Sequence, residues 1–259
     1  MTGANLADIA RHLGELLDTA SIPDYPPALN GIQVGHRGPV QRVAAAVDCS
    51  QRTIDLAAAA GANLLLVHHG LFWNGLQPVT GPHEARLRAL FAADMALYSS
   101  HLPLDAHPTF GNSALMAREL GLTPTGGFAR HHHVYCGVRG DAVISTTELV
   151  DRVREWAAPL GHHVVASMVP NGHRTRKWAI CSGAGAQVEN LREAYETGVD
   201  TLIVGEGPHW SAIDAEEHGV VLVYAGHYAT ETTGIRALAR HVGETFHLPW
   251  SFVHAPTGL

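Results

Sequence analysis

Histidine and carboxylate side chains recur in this sequence where an apolar run stops. Gly61-Ala-Asn-Leu-Leu-Leu-Val67 ends in His68 and His69, and residues 95–99 lead into His101-Leu-Pro-Leu-Asp105-Ala-His107. Residues 198–204 end in Gly205-Glu206-Gly207, and a further run closes Tyr224-Ala-Gly-His227, with Glu231 four residues on. Pooled, His68, His69, His101, Asp105, Glu206, His227 and Glu231 offer imidazole nitrogens and carboxylate oxygens, which suit Zn, Fe, Mn, Co or Ni better than Mg or Ca. No cysteine joins them, so nothing argues for a soft-metal site. Adjacent side chains on extended backbone diverge, so His68 and His69 serve two ions more comfortably than one. A carboxylate such as Glu231 could bridge such a pair, and a metal-held water loses its proton near neutral pH and becomes a nucleophile. His107 and Glu206 suit an orienting or structural role as well as a direct one. The Gly183-Ala-Gly185 turn precedes a helix whose first amides could hold an anion, but chain reversal explains it equally well.

These side chains need strand ends to present them. The run up to His68 reads as a strand buried on both faces, and in open α/β sheets ligands collect past the carboxyl ends of strands. Apolar spacing predicts a helix over residues 5–17, strands over 40–47 and 61–67, and between them an Ala-rich helix over 53–60 closed by Gly61. A helix over 83–93 and a strand over 95–99 follow, after which Pro103 and Pro108 argue against regular structure in residues 101–107. A helix over 112–120 leads to a join at 121–127. Strands over 134–138 and 163–169 flank a helix over 146–156, and then strand 177–181, helix 188–196 and strand 198–204 repeat the first pattern.

The repeat extends to the residues themselves. GANLLLVHHG (61–70) aligns without a gap on GVDTLIVGEG (198–207), and His101-x3-Asp105 corresponds to His227-x3-Glu231. We therefore expect an α/β fold of two related lobes from an internal duplication, each a mixed sheet with flanking helices. The first lobe is expected over residues 1–125, with 227–259 returning to it, and the second over 126–226.

Composition narrows the function. With 46% hydrophobic and 16% charged residues, disorder is not expected, and a net charge of −7 argues against a general nucleic-acid binder, which carries a basic stripe. No apolar stretch approaches the ~20 residues of a membrane span. Residues 1–10 contain Asp8 and lack a basic leader, so they read as neither signal nor transit peptide, and a cytoplasmic location is expected. Cys49, Cys136 and Cys181 lack CxxC spacing and are assigned to core packing. The His131-His132-His133 run reads as a solvated loop, although such tracts can hold metal loosely.

Val67-His-His-Gly70, Ser100-His-Leu-Pro-Leu-Asp-Ala-His-Pro108 with Gly111-Asn112, Gly205-Glu206 and Gly226-His-Tyr-Ala-Thr-Glu231 together resemble the motifs of the NGG-interacting-factor-like family, also known as GTP cyclohydrolase type-two homologues. Asn30-Gly-Ile-Gln-Val34 is similar to that family's N-terminal motif. The resemblance covers nearly the whole chain. It implies a duplicated α/β protein forming a toroidal homohexamer around a dinuclear centre of divalent transition metals. On the matching positions, His69 and Asp105 would hold one metal, His68 and His227 the other, and Glu231 would bridge them. His101 would be a further ligand or a proton shuttle. Residues 122–176 are too short for the domain that longer members insert, and the His131–His133 run departs from the family's pattern.

The activity implied is hydrolysis of GTP or a related purine nucleotide. Metal-activated water would attack the imidazole carbon of guanine, with ring opening, formate release and proton movement by His101. No guanine-reading motif stands in the sequence. The same ligands would equally serve a non-enzymatic, metal-loaded hexameric scaffold or regulatory protein, and an open coordination position would mark the enzyme. No membrane partner is expected.

Overall fold

Helix α1 (Leu6–Leu16) buries Ile9 and Leu13 from one face and is capped by Asn5, whose side chain accepts from Ala7 N. Strands β1 (Gly31–Val34) and β2 (Val43–Asp48) follow, then α2 (Gln51–Ala59), β3 (Leu64–His69), α3 (Gly81–Ala92) and β4 (Ala96–Ser99). Ser50 caps α2 in a reciprocal box with Thr53, which fixes where β2 gives way to helix. The computed structural model describes residues 3–259. These divide into one unit reaching to Leu104 and including Gly234–Ala255, and a second comprising Asp105–Thr233 and Pro256–Leu259.

In the first unit the strand order is β1-β4-β3-β2, with β11 (Trp250–Phe252) beside β2. All pairings are parallel except β1 with β4. After β4 the chain makes a single helical turn, α4 (Leu102–Asp105). Two prolines argue against regular structure here, but Pro103 stands in the first turn, where a missing N–H costs nothing.

The second unit contains α5 (Asn112–Glu119), β5 (Gly126–His131), β6 (Val134–Ser145), α6 (Thr146–Ala157), β7 (Val165–Ala166), β8 (Arg174–Cys181), α7 (Val188–Thr197), β9 (Thr201–Val204), α8 (His209–Glu217), β10 (Val221–Tyr224) and the short α9 (His227–Thr230). Helix α10 (Thr232–Phe246) then carries the chain into residues of the first unit. The sheet order is β5-β6-β8-β9-β10-β7, parallel through β8, β9 and β10 and antiparallel elsewhere. The histidine run lies at the tip of the β5–β6 hairpin, where His132 takes a φ of 52° and is exposed. Only Val165–Ala166 of the strand expected over 163–169 pairs, with the edge of β10.

The two units repeat one topology. The sequence β1-β2-α2-β3-α3-β4 corresponds to β7-β8-α7-β9-α8-β10, each with its antiparallel strand on the same edge. The likeness reaches single hydrogen bonds. Asn63, two residues after Gly61, accepts with Oδ1 from the backbone N–H groups of Gln41 and Arg42, and its counterpart Asp200 accepts with Oδ2 from those of Arg176 and Lys177. In both copies this side chain fixes where the central strand starts relative to its neighbour, and hence where it ends.

Strand β3 is buried at every position. Leu65 and Val67 meet Ile54, Ala57 and Leu90 in the first core, while Trp178, Ile180 and Ile203 anchor one face of the second sheet and Leu202, Val204 and Leu191 the other. Cys49, Cys136 and Cys181 are all buried. Among the described residues no helix is long and apolar enough to cross a membrane. Leu65 is wholly buried, so Leu65→Ala is expected to cost about 2–5 kcal/mol, read as a lower guanidinium midpoint with unchanged slope.

Candidate metal centre

In the first unit, three imidazoles converge because parallel strands end in step. β2 and β3 pair Asp48 with His69, and Asp48 Oδ1 accepts from His69 Nδ1 at 2.9 Å. His68 Nδ1 donates to the carbonyl of Ser100 at 2.9 Å, just past β4. His101 Nδ1 stands 2.9 Å from Asp24 Oδ1. A carbonyl only accepts, so the His68 hydrogen lies on Nδ1 and the Nε2 lone pair is left for a cation; the carboxylates impose the same tautomer on His69 and His101. One ring nitrogen from each of the three lies within 4.8 Å of the other two. All three rings are buried, His68 completely.

The N-terminal motif explains how the cluster is held. Asn30 Oδ1 accepts from His101 N at 2.8 Å, and its Nδ2 donates to Asp24 Oδ2 at 2.8 Å. Gln33 Oε1 accepts from Leu71 N at 2.7 Å, while its Nε2 donates to the carbonyls of Ala28 and Leu29. A Cβ at position 70 would strike the Gln33 amide, so a side chain there would displace the group that holds Leu71 N. Burial disfavours a charged Asp24, but hydrogen bonds from His101, Asn30 and Leu102 N outweigh it and hold the carboxyl below its ordinary range. Trp73 covers the cluster, edge-on to His101 with ring centroids 4.5 Å apart and 4.9 Å from His69.

The second unit repeats the device. His227 Nδ1 lies 2.8 Å from Glu206 Oε1, and its Nε2 lies 3.1 Å from Glu231 Oε2. Burial works against a charged His227, yet Glu231 and Glu206 together push its pKa up to about 9. A cation placed here would be held by the same two atoms, His227 Nε2 and Glu231 Oε2. Glu231 is almost wholly buried and lies against the turn at Gly183, where a Cβ would run into its Oε1. The tight turn is thus explained by room for a carboxylate. Asp105 Oδ1 accepts from Asn112 Nδ2 at 2.9 Å and from Ser182 Oγ at 3.4 Å. Gly111 is packed so closely on the Asp105 and His107 carbonyls that no side chain fits there.

The donor set therefore fits borderline transition metals: buried imidazoles with fixed tautomers in one unit, and an imidazole with two carboxylates in the other. Of the residues singled out from sequence, His68, His69 and His101 meet in the first unit. His227 and Glu231 meet in the second, and Asp105 reaches the same Cys181–Gly183 turn through Ser182. Glu206 is an orienting group. His107 turns Nδ1 to its own loop, accepting from Thr109 N and Phe110 N. Sequence reasoning missed Asp24 and Asp48. Asp48 was discoverable as the acid ending the strand beside His69; Asp24, in a proline-rich loop, gave no periodic signal.

The His227 ion pair predicts a pH dependence for metal-free protein. Its pKa is raised from 6.5 to about 9, so its stabilisation is complete below about pH 6.5 and is lost as pH rises through 9. Thermal melts in chelator should show the wild type losing stability across that window, and Glu206→Gln losing less.

Residues 4–256 match the family described as Duf34/NIF3 (NGG1p interacting factor 3). A Deinococcus radiodurans protein named GTP cyclohydrolase 1 type 2 homolog is 41% identical over 254 residues, covering 97% of this chain and 94% of its own. The protein of the same name from Escherichia coli K12 is 36% identical, covering 96% and 97%. Among solved structures, protein ybgI, titled as of unknown function, superposes with a TM-score of 0.87 at 34% identity, covering 98% of this chain and 99% of that one. TTHA1606 from Thermus thermophilus gives 0.86 at 34% with the same coverage. Reduced HcgD from Methanocaldococcus jannaschii shares the fold, with a TM-score of 0.77 at 24% identity over 95% and 98% of the two chains. Matched over nearly its whole length by sequence and by structure, the chain belongs to the Duf34/NIF3 family.

Proposed function

We propose that the two clusters close on one dinuclear centre and that the protein is a metal-dependent hydrolase acting on GTP or a related nucleotide. The observation that carries this reading is the shared arrangement of four imidazoles, His68, His69, His101 and His227, each with Nδ1 directed at an oxygen acceptor. His69 and Asp105 would hold one divalent ion, His68 and His227 the other, with Glu231 between them. Zn, Fe, Mn, Co and Ni all suit these donors. Bound there, the ions would supply Lewis acidity that brings the pKa of water toward neutrality.

The chain's own groups do the rest. His101, backed by Asp24, receives a proton at Nε2 and returns it, and the depressed Asp24 carboxyl remains ionised to stabilise the imidazolium. Trp73 shields this pair from bulk water. Water adds to the imidazole carbon of guanine, the ring opens, and a second water releases formate. The substrate class rests on the name that the relatives carry. A cytoplasmic homohexamer, ring-shaped around the centres, completes the reading. The deep burial of His68 and Glu231 also suits the second reading, a metal-holding scaffold, and exchangeable water on the loaded ions separates the two.

Metal-reconstituted protein is expected to hold two ions per chain by elemental analysis and to release formate from GTP, both reduced in Glu231→Ala. No formate above that variant would remove GTP as substrate. Asp24→Asn should leave metal content intact and lower turnover about 10–100-fold, with the loss in kcat rather than KM.

A further inference from the structure

Within the first unit, Trp73 is an exposed aromatic ring set against a buried polar cluster. It is 37% exposed, although few side chains have more apolar surface to bury. The backbone that carries it is well anchored. Leu71 is buried and its N–H is held by Gln33 Oε1 at 2.7 Å. Phe72 packs on the first core and meets His83 edge-on, with centroids 5.9 Å apart. Gly75 N then closes a turn on Phe72 O at 2.8 Å, with Gly75 at a φ of 76°, which glycine adopts without strain. Trp73 is thus held at the surface between a buried leucine and a tight turn.

The indole has tilted neighbours and no stacked one. Its ring contacts are to His101, at 4.5 Å and 67°, and to His69, at 4.9 Å and 48°. Among the described residues no ring lies parallel to it, no cation sits over it and its N–H makes no hydrogen bond. Aromatic rings pair edge-to-face or offset-parallel, and here the parallel position is open. A flat ring laid on the indole would be next to the cluster, since both imidazole centroids lie within 4.9 Å of it. A second exposed aromatic ring, Tyr25, lies 6.2 Å from His101.

We propose that Trp73 is a specificity-determining residue whose indole stacks on the planar base of the substrate, selecting a flat heteroaromatic ring by its face and not by its edge. That the stacked ring is the one that reacts rests on the function proposed above; the stacking platform rests on the geometry of Trp73 itself. Every base has a π face, so such a contact accepts adenine as readily as guanine. That agrees with a sequence in which no guanine-reading motif stands.

Titration of metal-loaded and chelator-treated protein with guanosine, adenosine and ribose tests this. Wild type should bind the two nucleosides within about tenfold of each other and ribose too weakly to measure. Trp73→Leu keeps an apolar cover over the histidines but removes the π face, and should weaken both nucleosides about 5–150-fold; Trp73→Phe should weaken them less. If Trp73 only kept water off the cluster, leucine would serve as well as phenylalanine. The chain has five tryptophans, so the fluorescence difference between wild type and Trp73→Phe isolates the Trp73 signal, which guanosine should quench. Unchanged nucleoside binding by Trp73→Leu, or none by wild type in either metal state, overturns the platform, and a wider guanosine preference overturns recognition by the face alone. Nucleoside binding that needs Trp73, in protein that releases no formate from GTP, would remove the hydrolase and leave the platform standing.

Discussion

An imidazole offers one nitrogen to a cation only when something keeps the hydrogen on the other, and in this protein that constraint governs the placement of strands. Ser100 O, Asp48, Asp24 and Glu206 are the four acceptors, and each comes from a different segment than the histidine it faces. Asp48 meets His69 because β2 and β3 run parallel in a register that ends both strands together. The register follows from Asn63, which ties the start of β3 to residues 41 and 42. A slip of one residue would turn His69 to the opposite face and leave two polar groups without partners.

Burial makes these partnerships obligatory. His68 lies under the surface at the end of a wholly apolar strand, and Glu231 and the Asp24 side chain are nearly as deep. A polar group so placed costs several kcal/mol unless hydrogen-bonded. The first unit meets that demand with side-chain amides: Asn30 serves both Asp24 and the His101 backbone, and Gln33 serves three backbone groups. The motif Asn30-Gly-Ile-Gln-Val34 therefore acts by clamping the loops that bear ligand candidates.

The sequence discloses some of this more readily than the rest, for physical reasons. Apolar runs ending in polar residues reveal strand ends, because burial on both faces leaves a continuous hydrophobic signal; β3, β4, β9 and β10 were legible on that ground. Short elements dictated by pairing were not. Gly126 and Gly127 look like a join, but the backbone of β6 draws them into a ladder, and of residues 163–169 only Val165–Ala166 forms ladder pairs, with Ser167 adding hydrogen bonds to Leu222. Pro103 misleads because a proline signals an ending everywhere except in a helix's first turn. The groups that orient the ligands were hardest to see. Asp24 is separated from His101 by 77 residues, and only the folded chain brings the two together.

The duplication also explains why the two halves contribute different chemistry. On the alignment of the two central strands, His68 corresponds to Gly205 and His69 to Glu206. At 205 a Cβ would collide with the Gly183 backbone and the Thr230 hydroxyl, so the second copy has no room for the ligand that the first copy presents. At 206 a longer acid reaches back to His227 Nδ1 and takes the part that Asp24 plays for His101. Where the first strand end offers two imidazoles, the second offers none and instead aims the imidazole of the following helix. Equivalent backbone positions have thus separated into one copy that bears candidate ligands and one that orients an imidazole on the following helix.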